Sequence, residues 1–160
     1  MDSKKKEGRY QRLFDQIADL TARRSNALSR MATVAAVLSN KMEYFFWTGF
    51  YLLEEGELYA GPYQGPPACQ HLAREQGVCW AGILTAAPVV VPDVEQFPGH
   101  IACDSRSRSE IVVPLMNAIG EVIGVLDVDS TAQGAFDEID ALWLTRIVAL
   151  VRPDDIPNLP

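Results

Sequence analysis

Three cysteines, Cys69, Cys79 and Cys103, fall in or beside an irregular middle stretch and off the apolar stripes of the predicted helices. Cysteine is also a common small core residue, and Cys79, between Val78 and Trp80, suits that role as well as a chemical one. Cys103 lies between Pro98-Gly-His-Ile-Ala and Asp104-Ser-Arg-Ser-Arg108. A loop and nearby arginines favour a reactive thiolate, while Asp104 opposes it. Cys69, Cys79, Cys103, His71 and His100 would suffice for zinc, but no two cysteines have the close spacing of structural zinc sites. His100, three residues before Cys103, could instead serve as the base of a Cys–His pair.

Asp127 and Asp129 alternate on one predicted strand, so both side chains share a face, with Leu126 and Val128 on the other. Glu110 begins the partner strand and pairing brings it near them. Such a group is either a sheet end in water or a carboxylate pocket for an ammonium group, where like charges raise one another's pKa and leave a proton donor. Trp47 and Tyr51 share parity with Gly49. Aromatic residues in a first strand are ordinarily core, yet a glycine between two rings leaves a hollow for a small apolar group.

The elements that position these groups follow from periodicity. Tyr10, Leu13, Phe14, Ile17 and Leu20 mark one amphipathic helix. Ser25 is the expected cap of a second, with Leu28, Met31, Ala35, Leu38 and Met42 on its stripe. Tyr44–Leu53 reads as a strand, turned by Glu54-Glu-Gly56 into another near Leu58. The prolines and glycines of Gly61–Pro67 predict irregular chain. A short helix over Gly77–Ala86, a strand at Val89–Val91 and a polar loop from Pro92 to Ser109 follow. Glu110–Met116 and Glu121–Asp129 form a hairpin. Asp137 caps a last helix with Ile139, Leu142, Trp143, Ile147, Leu150 and Val151 on one face. With no βαβ rhythm, this order predicts an α+β domain on a mainly antiparallel central sheet with flanking helices. One domain spans residues 1–151, helices 9–42 included, and a flexible Pro-rich tail spans 152–160.

The 160 residues carry 48% apolar and 22% charged side chains, a globular composition large enough for a core without staples. The longest apolar runs are far below the ~20 residues of a spanning helix, and no secretory signal is read. The reducing cytosol is the expected compartment. The net charge is −7, and residues 42–160 contain no lysine. That acidic part offers no cation cluster for nucleic acid and suits a small cationic or zwitterionic ligand. The basic N-terminal part reads as a solvated helix face.

Phe97-Pro-Gly-His-Ile-Ala-Cys-Asp104, Ser109-Glu-Ile111 and Gly124-Val-Leu-Asp-Val-Asp-Ser130 resemble the free methionine-(R)-sulfoxide reductases, built on a GAF-type domain. So do Trp47–Leu52, Gly61–Gly65 with Ala68-Cys69, and Gly77-Val-Cys79. The resemblance implies an oxidoreductase of oxidative-stress repair. In it Cys103 attacks the sulfoxide and becomes a sulfenic acid, and Cys69, or else Cys79, resolves it as a disulfide that thioredoxin reduces. By resemblance, Glu110, Asp127 and Asp129 bind the ammonium, Glu110 and Asp129 assist protonation, and Trp47 and Tyr51 enclose the methyl end. Backbone around Ile101 and Ala102 would hold the carboxylate. The resemblance implies no bound cofactor or metal, recycling by thioredoxin with its reductase and NADPH, and a cytoplasmic homodimer without nucleic-acid or membrane partners. The chain departs from the family at His71, where arginine is expected, and at Trp80, where glycine is. A non-catalytic GAF-type module that binds a small ligand or senses redox state is the alternative, and a zinc-binding interaction protein is the third reading.

Overall fold

The computed structural model describes residues 2–155. Two helices, α1 (Ser3–Ala22) and α2 (Ala27–Lys41), lead into the hairpin β1 (Trp47–Glu54) and β2 (Glu57–Gln64) and a two-residue edge strand β3 (His71–Leu72). Helix α3 (Gly77–Thr85) precedes β4 (Val89–Val91), a 3-10 turn at Val94–Gln96, and the hairpin β5 (Ser109–Met116) and β6 (Val122–Ser130). Helix α4 (Glu138–Ala149) follows. The strands form one sheet in the order β3-β2-β1-β6-β5-β4, and every pairing is antiparallel. This is the α+β architecture that the alternation of helical and strand periodicities predicts.

Strand alternation divides the sheet into two faces. Phe50, Ile111, Val113, Leu126 and Val128 point to the layer of α1, α2 and α4 and build the larger core. Trp47, Tyr51, Val112 and Val125 point the other way, against Val78, Cys79 and Trp80 of α3. The helical layer is tied by a buried polar knot. Asp140 on α4 is fully buried and accepts hydrogen bonds from Tyr10 (2.7 Å), Tyr44 (2.6 Å), the Asp137 amide (2.8 Å) and the Lys6 ammonium. Lys6 also pairs with Asp137 at 2.8 Å. Asp140→Asn removes the charge these donors converge on, and is expected to cost roughly 2–3 kcal/mol of folding free energy in urea titrations.

Several local expectations are corrected. The cap of α2 is Asn26, which trades hydrogen bonds with Ser29 as a capping box, while the Ser25 hydroxyl turns back to the carbonyls of Thr21 and Arg23. Leu28 and Leu142 are half exposed, while the buried stripe of α2 keeps Met31, Ala35 and Leu38 and adds Ala27 and Val34, and that of α4 keeps Trp143 and Ile147 and adds Leu144 and Val148. Strand β1 starts only at Trp47, since Tyr44 and Phe45 pack on Phe136. Strand β2 continues through Pro62 to Gln64, where irregular chain is expected. Its register against β1 shifts between Gly49 and Tyr51, and β3 covers only Leu58 and Tyr59. Pro62 thus sits at a bulge on an open edge, where a missing N–H costs little. Residues 152–154, within the expected tail, take part in hydrogen bonds. Arg30 donates to the carbonyls of Val151 (2.7 Å) and Arg152 (3.0 Å), and Asp154 accepts from the Ala118 amide. The rest of the expected tail, 156–160, lies outside the described residues.

Candidate active site

The acidic group assembles by sheet register. Glu110 on β5 stands directly opposite Asp129 on β6, and β6 in turn sets Asp129 opposite Trp47 and Asp127 opposite Gly49. Alternation then turns all three carboxyls to the α3 face of the sheet, where they line one cavity with Trp47, Tyr51, Cys79 and Cys103. They are not a wet sheet end, because Glu110 and Asp127 are each only 6% exposed. Burial pushes Glu110 well above the usual carboxylate range, and the negative charge of Asp129 adds to it. Asp127 is raised likewise by burial, then by Glu110 and Asp129. Burial lifts Asp129 to about 6, against a hydrogen bond from Ser107 and the nearby His100. His100 Nε2 lies 3.6 Å from Glu110 Oε2. All three shifts run upward, so the cluster favours sharing a proton over holding three adjacent negative charges, an arrangement that can offer both an acid and an anion.

The aromatic wall is formed by three rings. Trp47 stacks on Tyr51 at 5.8 Å and on Tyr63 at 5.3 Å. The hollow expected over Gly49 is filled by Trp47 itself. A Cβ on Gly49 would lie 2.3 Å from Tyr63 Cβ and 2.6 Å from Trp47 Cη2. Glycine is therefore required for the indole to lie across the strand, and the ligand space lies beyond the rings. Gly49→Ala is expected to cost about 1–3 kcal/mol and to displace the indole, read by denaturation and by tryptophan fluorescence. Both rings also fasten the next loop. Trp47 Nε1 donates to the Pro66 carbonyl at 3.1 Å, and Tyr51 Oη donates to the Cys69 carbonyl at 2.9 Å.

That loop holds Cys69 beside the loop after the 3-10 turn, and Cys69 and Cys103 are joined in a disulfide across 34 residues. Cys79 is the remaining free thiol, buried on α3. Burial raises its pKa, and Asp127 and Glu110 beside it raise it further. Near Cys103, Arg106 is engaged by Asp104 at 2.7 and 3.0 Å and lies over the Phe46 ring. Its charge is thus largely offset by Asp104, which it holds down at about 2.

Every residue singled out from sequence around this site lines the cavity: Trp47, Tyr51, Cys79, Ile101, Ala102, Cys103, Glu110, Asp127 and Asp129 are all there, and Cys69 is bonded to Cys103 beside it. The five-residue zinc set does not converge. Two of its cysteines are bonded to each other, and His71 lies on the edge strand at 2.8 Å from Glu57. The two departures have structural places, His71 on that exposed edge and Trp80 in the core behind the cavity. Tyr63 and Ser107 carry no role in the sequence reading. Tyr63 lies in a segment whose prolines and glycines predict irregular chain, and Ser107 gives no signal beyond its nearness to Cys103. No helix among the described residues is long and apolar enough to cross a membrane.

The model of the GAF domain matches residues 11–152. The GAF domain-containing protein A of Dictyostelium discoideum is 47% identical over 91% of this chain and 92% of its own length. The free methionine-R-sulfoxide reductase of Escherichia coli is 41% identical over 81% of this chain and 78% of its own. The crystal structure of the corresponding reductase from Neisseria meningitidis, in complex with its substrate, superposes with a TM-score of 0.85 at 42% identity, covering 89% of this chain and 86% of that one. The chain belongs to the free methionine-R-sulfoxide reductase family of GAF-domain proteins.

Proposed function

We propose that this protein reduces free methionine-(R)-sulfoxide to methionine, with Cys103 as the nucleophile. The observation that carries the reading is the Cys69–Cys103 disulfide beside a cavity that Glu110, Asp127, Asp129, Trp47 and Tyr51 line with Cys103. The substrate ammonium pairs with Asp129 and the acids beside it, its methyl end lies against Trp47 and Tyr51, and backbone amides around Ile101 and Ala102 take the carboxylate. A peptide-bound sulfoxide lacks both end charges and leaves those buried groups unpaired, so it is rejected.

The Cys103 thiolate attacks the sulfoxide sulfur while the protonated member of the carboxyl cluster, Glu110 next to Asp129, gives its proton to the sulfoxide oxygen. Oxygen passes to Cys103 as sulfenic acid, the S–O bond to the substrate breaks, and methionine leaves carrying two more electrons than it brought. The Cys69 thiol then displaces water from the sulfenic acid and forms the disulfide. Cys79, the second candidate for this step, lies on α3 beside the acids. A thioredoxin dithiol restores Cys69 and Cys103 by exchange, itself recharged by thioredoxin reductase and NADPH. No bound cofactor enters these steps. The same reading places the protein in the cytoplasm as a homodimer through its N-terminal helices, where Leu20 and Leu28 are exposed.

The test is methionine release from the free (R) sulfoxide with thioredoxin, its reductase and NADPH, alongside the (S) epimer and a blocked peptide sulfoxide. Turnover of the free (R) form alone is the expected result. No turnover by folded protein with reduced thiols overturns the reading in favour of a GAF module that only binds its ligand.

A further inference from the structure

Cys79 takes no part in the Cys69–Cys103 bond, yet it does not lie in a purely apolar setting. Its sulfur and the nearest carboxyl oxygens of Glu110 and Asp127 all fall within 4.8 Å of one another. Asp127 Oδ1 is buried and accepts no hydrogen bond, and Asp127 as a residue is only 6% exposed. The three side chains come from α3, β5 and β6, so rigid elements set their convergence, and all three line the cavity. We propose that Cys79, Glu110 and Asp127 form a binding site for one thiophilic divalent cation of the Zn²⁺ or Cd²⁺ type, which occupies the place of the substrate ammonium.

One sulfur and two carboxylates form a borderline-soft donor set with a coordination position left open to the cavity. Mg²⁺ and Ca²⁺ require six or more oxygen ligands, which these residues do not supply. On binding, a sulfur–metal bond forms and the thiol proton passes to solvent with any proton shared by the two carboxyls. No oxidation state changes, and affinity rises with pH. The spacing of Cys79, Glu110 and Asp127 along the chain has no metal-site signature, because the fold alone brings them together. Binding of the cation stands apart from the reductase reading; its consequence, a block on turnover by exclusion of the ammonium, rests on that reading.

The experiment uses the full chain in its disulfide form, in which Cys79 is the one remaining thiol among three cysteines. Cd²⁺ is titrated in the absence of substrate and the ultraviolet thiolate-to-cadmium charge-transfer band is followed. The band should saturate at one Cd²⁺ per chain, vanish in Cys79→Ser and persist in excess Ca²⁺. In Asp127→Asn and Glu110→Gln it should need on the order of tenfold more Cd²⁺, or higher, since loss of a direct ligand exceeds loss of an outer partner. No band overturns the site, and so does a band with unchanged cadmium dependence in both carboxamide variants, which would mark a bare thiol. If Cys79→Ser does not fold, the two carboxamide variants decide. Added methionine should shift the titration to higher Cd²⁺ by more than equimolar glycine, which chelates free cadmium in the same way. A shift no larger than glycine's, in protein shown by equilibrium dialysis to bind methionine, overturns the shared location. Because no turnover is measured, failure here leaves the reductase reading standing, and failure of turnover leaves this one.

Discussion

Cys103→Ser releases no methionine, even in the first turnover, a fall in kcat/KM on the order of 10³-fold or more. A serine hydroxyl is a far weaker acid and nucleophile than a thiol, and its oxygen cannot take up the sulfoxide oxygen as sulfur does. Arg106, the guanidinium that could have favoured an anion, is held by Asp104. His100 lies toward Glu110. The substitution therefore removes the sulfur that receives the oxygen and leaves nothing to replace it. Cys69→Ser should differ in kind. The sulfenic acid still forms, so one methionine per chain appears in a rapid-quench experiment, and steady turnover with thioredoxin then falls away. A full burst from Cys103→Ser would assign the nucleophile elsewhere, and undiminished steady turnover by Cys69→Ser would make Cys79 the resolving thiol.

The pairing that this experiment tests was legible in the sequence only through resemblance. Local patterns gave the sheet face: the alternation of Asp127 and Asp129 and the hairpin turn placed Glu110 near them, and the register puts Glu110 opposite Asp129. Periodicity could not say which loops cross that face. Cys69 and Cys103 are brought together by anchors distant in sequence, such as Tyr51 bonding the Cys69 carbonyl and the Ser130 carbonyl accepting from the Arg108 amide. The failures have the same origin. Pro62 reads as a strand breaker because its lack of an edge partner is a property of the sheet, and Gly49 reads as a hollow because the indole that fills it belongs to the same strand. Ser25 and Asn26 are equally good caps by residue type, and the phase of the buried face chose between them.

Glu110→Gln is expected to make the protein more stable and less active at once. The side chain is nearly isosteric, so packing is kept, but no proton can be given or lost. Without its acid, reduction of the sulfoxide should slow on the order of 10²–10⁴-fold. The sign of the stability change follows from proton linkage. Glu110, Asp127 and Asp129 all bind protons more tightly folded than unfolded. Between their unfolded values and their folded ones the native state therefore holds more protons, and wild-type stability declines as pH rises through that window. For Asp129 the window runs from 3.8 to about 6, and for Glu110 it opens at 4.5 and closes well above. Glu110→Gln removes one contributor and lessens the repulsion on the others. Its unfolding free energy, from denaturant titration, should match wild type near pH 4 and exceed it at pH 8 by about 1–3 kcal/mol. The pH profile of kcat/KM divides the roles further: the rising limb near 6 belongs to Asp129 acquiring the charge that holds the ammonium, and the falling limb to the acid losing its proton. Glu110→Gln should keep the first limb and lose the second. Wild-type values of both kcat and KM in this variant would mean that the buried carboxyls take no part in the chemistry. A variant that is less active but also less stable at pH 8 would mean that Glu110 serves packing, because only a group held against its preferred ionisation gains stability by losing its charge.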